Sequence, residues 1–184
     1  MNKKNKNQVC SASKAGEFDN RLRRLVQNPA KILGPFIKKG MTVLDLGCGP
    51  GFFTLEIARL LDNTGKVIAA DLQDEMIDIL RKKIVNSPLQ PVIRLHKCES
   101  ESTGIHENVD FIMAFYVVHE IPDHIGLFRE LKSILKPGGK ILIVEPSSHV
   151  SKTDFNNMIV IAESEGFKSE NAKKMFLSRA VILT

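Results

Sequence analysis

Val43-Leu44-Asp45-Leu46-Gly47-Cys48-Gly49-Pro50-Gly51 runs an apolar segment straight into three glycines at alternate positions, and an amphipathic stretch, Phe52–Leu61, follows at once. This reads as a strand, a tight loop and a helix. Glycine lets the backbone turn sharply and lets a ligand approach where a Cβ atom would stand in the way. The start of the helix behind it offers unpaired N–H groups. The loop of a dinucleotide-binding unit would be spaced GxGxxG. Counted from Gly47 the third glycine falls on Phe52, and counted from Gly49 it falls on Thr54, so that spacing fails in both registers. Asp45, just ahead of the glycines, sets a carboxylate toward the ligand. A cationic group suits that position better than a pyrophosphate.

Outward from this loop, strands and helices alternate. Met41–Asp45 is the first strand, Phe52–Leu61 the first helix after it, and Asp62-Asn63-Thr64-Gly65 a turn into strand Lys66–Ala70. A helix from about Asp74 to Val85 stops at Asn86-Ser87-Pro88, and strand Val92–Lys97 leads into a polar stretch. Strand Val109–Phe115, helix His124–Leu135, the turn Lys136-Pro137-Gly138-Gly139 and strand Lys140–Val144 follow. The strands are continuously apolar rather than alternating, which is expected where helices cover both faces of a parallel sheet. A helix at Lys152–Glu165 ends at Gly166, and Phe167–Ser169 and Met175–Thr184 read as two strands joined by Glu170–Lys174. So short a connection permits a hairpin but not a parallel crossover.

Ahead of this alternation, residues 1–15 are rich in lysine and asparagine and read as a disordered basic tail. Residues 16–184 then form one domain. Between Glu17 and Lys39 the apolar positions Phe18, Leu22, Leu25 and Val26, then Ile32, Leu33, Phe36 and Ile37, recur at helical spacing. Asn28 reads as an N-cap and Pro29 as the first residue of the second of these helices.

The DLGCGPG loop closely resembles motif I of the class I S-adenosylmethionine-dependent methyltransferases. The resemblance covers residues 40–146 and includes the Leu135–Gly139 turn before the fifth strand. It implies a doubly wound, mostly parallel seven-stranded α/β sheet of order 3-2-1-4-5-7-6, with strand 7 antiparallel and helices on both faces. It implies that Asp45, Gly47, Cys48, Gly49 and Gly51 line the methionine and sulfonium of the cofactor, whose product is S-adenosylhomocysteine. Asp71, 20 residues after Gly51, stands where the family places a carboxylate that accepts from both ribose hydroxyls, with Leu72 beside the adenine. The match after the third strand is loose, and Cys98 and Glu99 are its candidates for the adenine amine. Ala114 and Phe115 fall where the backbone passes the sulfonium.

Tyr116, His119 and Glu120 follow the fourth strand, where open α/β sheets bind ligands, and are the candidates for acting on an acceptor. A histidine is neutral near pH 7 and can serve as a base; Glu120 could instead orient its neighbour. His96, His106, His124 and His149 show no metal-binding spacing, and Cys10, Cys48 and Cys98 are too few and too scattered for a disulfide framework or a zinc site. No metal is expected. Asn/Asp-Pro-Pro-Tyr is missing at Ala114–Val117, which disfavours methylation of exocyclic amines of DNA bases, and no Pro-Cys dipeptide occurs for cytosine C5 chemistry.

The overall charge is +5, but residues 1–40 hold ten lysines and arginines against Glu17 and Asp19, a net +8, so the rest of the chain carries −3. The basic pI thus belongs to the N-terminal segment. Such an arm could attract nucleic acid, which keeps an RNA or protein methyltransferase as an alternative, beside a non-catalytic S-adenosylmethionine-binding module. With no appended substrate domain, the reading is a small-molecule acceptor, covered by a lid made of residues 16–40. No apolar run approaches the ~20 residues that span a bilayer and no secretory signal is recognisable. A cytoplasmic protein without a membrane partner is the expectation, with its oligomeric state open.

Overall fold

The computed structural model describes residues 27–184; the basic tail and the first of the two expected N-terminal helices lie outside them. The elements are α1 (Pro29–Leu33), β1 (Thr42–Leu46), α2 (Thr54–Leu61), β2 (Lys66–Asp71), α3 (Asp74–Ile84), β3 (Ile93–Lys97), β4 (Val109–Phe115), α4 (His124–Ile134), β5 (Leu135–Pro146), α5 (Lys152–Ser164), β6 (Ser169–Asn171) and β7 (Ser178–Leu183). The sheet runs β3-β2-β1-β4-β5-β7-β6. β1 to β5 are parallel neighbours, and β7 runs antiparallel to both β5 and β6.

Two apolar clusters sandwich the sheet. Leu33 of α1, Ile57 and Leu61 of α2 and Ile77 and Leu80 of α3 pack on one face with Val43, Val67 and Phe111. Leu127, Phe128 and Leu131 of α4 and Phe155 and Met158 of α5 pack on the other with Leu44, Ile68 and Ile112. Burial on both faces is the physical reason for the unbroken apolar strands.

Asn28 caps α1 through its side chain, which accepts from Lys31 N at 3.1 Å, and Pro29 opens the helix. This helix is only five residues long, because Gly34-Pro35 stops it. Leu33 and Ile37 are buried and the Phe36 ring stacks on Phe111 at 5.2 Å, so this part of the segment is core.

In three further regions the boundaries move by two residues or more from the sequence reading. The Lys136–Gly139 turn is drawn into β5: Val109 pairs with Leu135 and Phe111 with Lys140, so four residues bulge out inside one long strand. Pro137 has no N–H to give the ladder, and Lys136 Nζ spans the gap to Asp110 Oδ2 at 2.8 Å. α2 begins at Thr54 rather than Phe52, because Thr54 Oγ1 turns back to donate to Asp45 Oδ2 at 2.5 Å. β6 lies at Ser169–Asn171 instead of Phe167–Ser169, since Phe167 is buried under α4 and α5, and the hairpin connection becomes residues 172–177.

Candidate active site

At the carboxyl ends of β1, β2 and β4 the chain encloses a cavity of about 790 Å³, inside the ~300–1,000 Å³ range of small-molecule sites. The loop after β1 forms its floor. Gly47 (φ +68) lies so close to the exit of β4 that a Cβ there would stand 2.5 Å from Val117 Cγ2. Gly49 (φ +52) is the opposite case, since a Cβ would meet nothing within 4 Å. Its surface is the open approach a ligand needs.

Two carboxylates share this wall. Asp45 is 2% exposed, and burial foremost, with the charge of Asp71 adding to it, pushes its carboxyl up to about 7. Asp71 accepts from Gly49 N at 2.8 Å through Oδ2 and from Gln73 N at 2.9 Å through Oδ1, so it ties the β1 loop to the start of α3. Burial raises its pKa as well, although those amide bonds oppose the shift. Both aspartates line the cavity. A ligand bearing a cation and hydroxyl donors would favour the ionised forms that burial disfavours, and the site therefore fits S-adenosylmethionine chemically.

Leu72 and Glu99 lie at the rim and Cys98 in the wall. Cys98 is anchored by its backbone N donating to Asp71 O at 2.9 Å, and the Lys97 ammonium donates to the Leu72 carbonyl. Burial pushes the Cys98 thiol up to about 12 and Cys48 well above its ordinary value, so both are neutral thiols near pH 7. The loop beyond them is organised by a residue that sequence reasoning missed. Glu130 of α4 accepts from Ser102 Oγ (3.0 Å), Thr103 N (3.0 Å), Thr103 Oγ1 (2.5 Å) and Gly104 N (3.1 Å). Burial works against its ionisation, but these bonds outweigh it and hold the pKa below the ordinary value. The cluster of donors at Ser100–Gly104 was the available signal that an acceptor had to exist.

Part of the lining is aromatic. Phe115 sits 4.4 Å from Phe53 and 4.3 Å from Tyr116, centroid to centroid, and all three line the cavity. Ala114 is fully buried one residue back in β4 and does not reach the cavity surface. Tyr116 adopts φ +62, a left-handed conformation unusual for a bulky residue. Its hydroxyl accepts from Gln27 Nε2 at 2.8 Å and meets Ser178 Oγ at 2.5 Å, while Tyr116 N donates to Val144 O at 2.8 Å. Such strain persists where surrounding contacts over-determine it, often at functional sites.

Glu120 lines the cavity, but His119 is turned away from it. Its Nδ1 bonds Glu145 Oε2 at 2.5 Å, its backbone N donates to Glu145 Oε1 at 3.3 Å, and its ring lies 6.2 Å from His149. Burial disfavours the charged ring, yet the bond to Glu145 and that carboxylate's charge prevail and raise the pKa. Glu145 is fully buried at the end of β5; one charge closing the apolar run Ile141–Val144 was its signal in the sequence. Among the described residues no group of His, Cys, Asp and Glu could hold a metal ion.

Comparison with known proteins accords with this geometry. The family model of a methyltransferase domain matches residues 37–179, and the chain belongs to that family. The chain is 30% identical over 115 residues to the ubiquinone/menaquinone biosynthesis C-methyltransferase UbiE of Enterobacter sp. (strain 638), covering 62% of this chain and 46% of that protein. It is 27% identical over 111 residues to the demethylmenaquinone methyltransferase of Bacillus cereus (strain ATCC 10987 / NRS 248), covering 60% and 47%. It thus spans just under half the length of these curated relatives. A crystal structure of a SAM-dependent methyltransferase from Aquifex aeolicus superposes with a TM-score of 0.83 at 26% identity, covering 95% of this chain and 97% of that one.

Proposed function

We propose that this chain binds S-adenosylmethionine across the carboxyl ends of β1, β2 and β4 and directs its methyl group to a small-molecule acceptor held against the Phe53–Phe115–Tyr116 wall. The observation that carries the reading is the pair of buried carboxylates, Asp45 and Asp71, flanking the open surface of Gly49 in one cavity. When bound, the cofactor supplies a methyl group on a positively charged sulfur, already activated for displacement.

In this reading Asp71 holds the ribose hydroxyls and Leu72 flanks the adenine, with Cys98 and Glu99 along its edge. Asp45 faces the cationic methionine end, over the loop of Gly47, Cys48, Gly49 and Gly51. Phe115, with Ala114 behind it, bounds the space beside the sulfur. Tyr116 and Glu120 face the acceptor; His119 acts from behind the wall and would reach a substrate only after its ring turned from Glu145. The protein's contribution is to align the two reactants and exclude water, which can be worth effective molarities of about 10⁵ M or more.

An aromatic wall suits a planar or apolar acceptor, and the relatives named for quinone biosynthesis support that class. Residues 16–184 act as one domain. Of the lid expected at residues 16–40, residues 16–26 lie outside the described residues, Leu33 and Ile37 are core, and the Gln27 side chain touches Tyr116. Among the described residues no helix is long and apolar enough to cross a membrane, and the cytoplasm is the proposed compartment.

The test is calorimetric titration with S-adenosylhomocysteine, then turnover with a panel of quinols and phenols. Asp71→Ala removes charge-assisted bonds worth ~1.5–3 kcal/mol, a loss of roughly 10- to 100-fold in affinity. Wild-type protein that failed to bind either form of the cofactor would refute the proposal.

A further inference from the structure

The connection between β6 and β7 shows its apolar residues to solvent. Ala172 and Met175 turn inward against the core, whereas Phe176 and Leu177 are 65% and 67% exposed and Lys173 and Lys174 are exposed beside them. This exposure is built. Leu177 is held at φ +49 while its carbonyl accepts from Ser147 N at 3.0 Å and Ser147 Oγ at 2.7 Å. Ser178 N donates to Met175 O at 3.3 Å and Ser178 Oγ to Phe176 O at 3.0 Å, closing the tip. A fixed loop that presents two large apolar side chains loses little entropy when it docks.

We infer that the Lys173–Leu177 tip docks onto an anionic lipid surface, with Phe176 and Leu177 entering the interface and Lys173 and Lys174 facing lipid phosphates. Cations flanking exposed apolar residues are the chemistry of interfacial attachment. Other occupants fit less well. Phe176 and Leu177 together expose on the order of 250 Å², far below the ~800 Å² per partner of a stable protein interface. A second copy meeting this patch about a twofold axis would oppose lysines to lysines. The segment ahead of Gln27 would bring Arg21, Arg23 and Arg24 against the same lysines.

The position of the tip gives docking a purpose. Ser178, the first residue after it, meets the hydroxyl of Tyr116, which lines the cavity. An acceptor anchored in lipid by an apolar chain could therefore enter without leaving the bilayer. That consequence rests on the proposed methyl transfer; the docking itself does not. It also revises, for the surface, the expectation of no membrane partner.

The chain contains no tryptophan, so Phe176→Trp places a single reporter at the tip of the full-length protein. With vesicles of equimolar phosphatidylcholine and phosphatidylglycerol the emission should shift to the blue and be quenched by brominated lipid. Lys173→Glu with Lys174→Glu should weaken that response roughly tenfold or more, as should high salt. Co-sedimentation with an unchanged emission would assign binding to the basic N-terminal segment and overturn the inference. A blue shift without lipid that grows with protein concentration would assign the patch to a second copy and overturn it equally. Cofactor binding, measured in parallel, should be unchanged in all these variants.

Discussion

Replacing Asp45 by asparagine separates the stability of this fold from its ligand chemistry. Asp45 lies 2% exposed with its carboxyl pushed up to about 7 from the ordinary 3.8, burial being the largest cause. A raised carboxyl pKa contributes stability that is fully present below the unfolded-state value and lost as pH rises through the folded one. From about pH 5 to about pH 8, roughly two pH units of that window are crossed, which costs wild-type protein ~3 kcal/mol. For a domain of this size that is a fall of roughly 6–12 °C in Tm. The substituted amide keeps an oxygen that can accept from Thr54 Oγ1 and titrates nothing, so the variant should lack this component. The assay is thermal unfolding of both proteins, without ligand, across that pH range. The Tm of Asp45→Asn minus that of wild type should grow by about that amount toward high pH. Calorimetry with S-adenosylmethionine should show the opposite ranking, with the variant binding at least tenfold more weakly because the cation loses its counter-charge. A difference in Tm that stays flat with pH would refute the argument from burial.

Gly49→Ala should cost about 1–2 kcal/mol of stability from φ +52 alone, yet lower cofactor affinity far more, because the new methyl group occupies the ligand's approach. Gly47→Ala should instead lose stability first, since its Cβ meets Val117; denaturant melts beside calorimetry tell the two apart. Glu130→Ala leaves the Ser102 and Thr103 donors without their acceptor and Gly104 N with Ser102 Oγ alone, at a cost of about 1–3 kcal/mol, and hydrogen exchange should show the Thr103 amide opening before the core. Glu145→Gln removes the partner that raises the pKa of His119. Stabilisation by that pair is fully present below the ordinary histidine value of 6.5 and lost as pH rises through the raised one. The stability gap between wild type and Glu145→Gln should therefore narrow with alkalinity, and an NMR titration of His119 should move to lower pH in the variant.

Much of this site was legible because its determinants are local. An apolar strand, three alternate glycines and an aspartate before them require only the covalent chain to place Asp45 beside Gly47 and Gly49. Asp71 was singled out by its distance from the glycine loop, and its carboxylate meets Gly49 N at the cavity wall. Residues assigned by proximity in sequence fared less evenly. Tyr116, His119 and Glu120 are neighbours in the chain, but the turn after β4 sends Tyr116 and Glu120 to the cavity and His119 to Glu145. Ala114, next to Phe115, alternates to the far face of β4 and stays buried.

The sequence by itself determined the α/β class, the strand order expected of the family and the glycine loop with its two aspartates. The α/β class and the glycine loop depend on periodicity or on spacing within one or two elements; the strand order came with the resemblance to the family. Only the tertiary structure decided what Glu130, Glu145, Gln27 and Ser178 do. Their partners lie 26 to 28 residues away for Glu130, 26 for Glu145, 89 for Gln27 and 62 for Ser178. Which distant side chains meet depends on the crossing of packed helices and on sheet register, and no local pattern encodes it. The same holds for the exposed Phe176 and Leu177, which read as part of a strand until the hairpin closed on Ser147 and turned them outward.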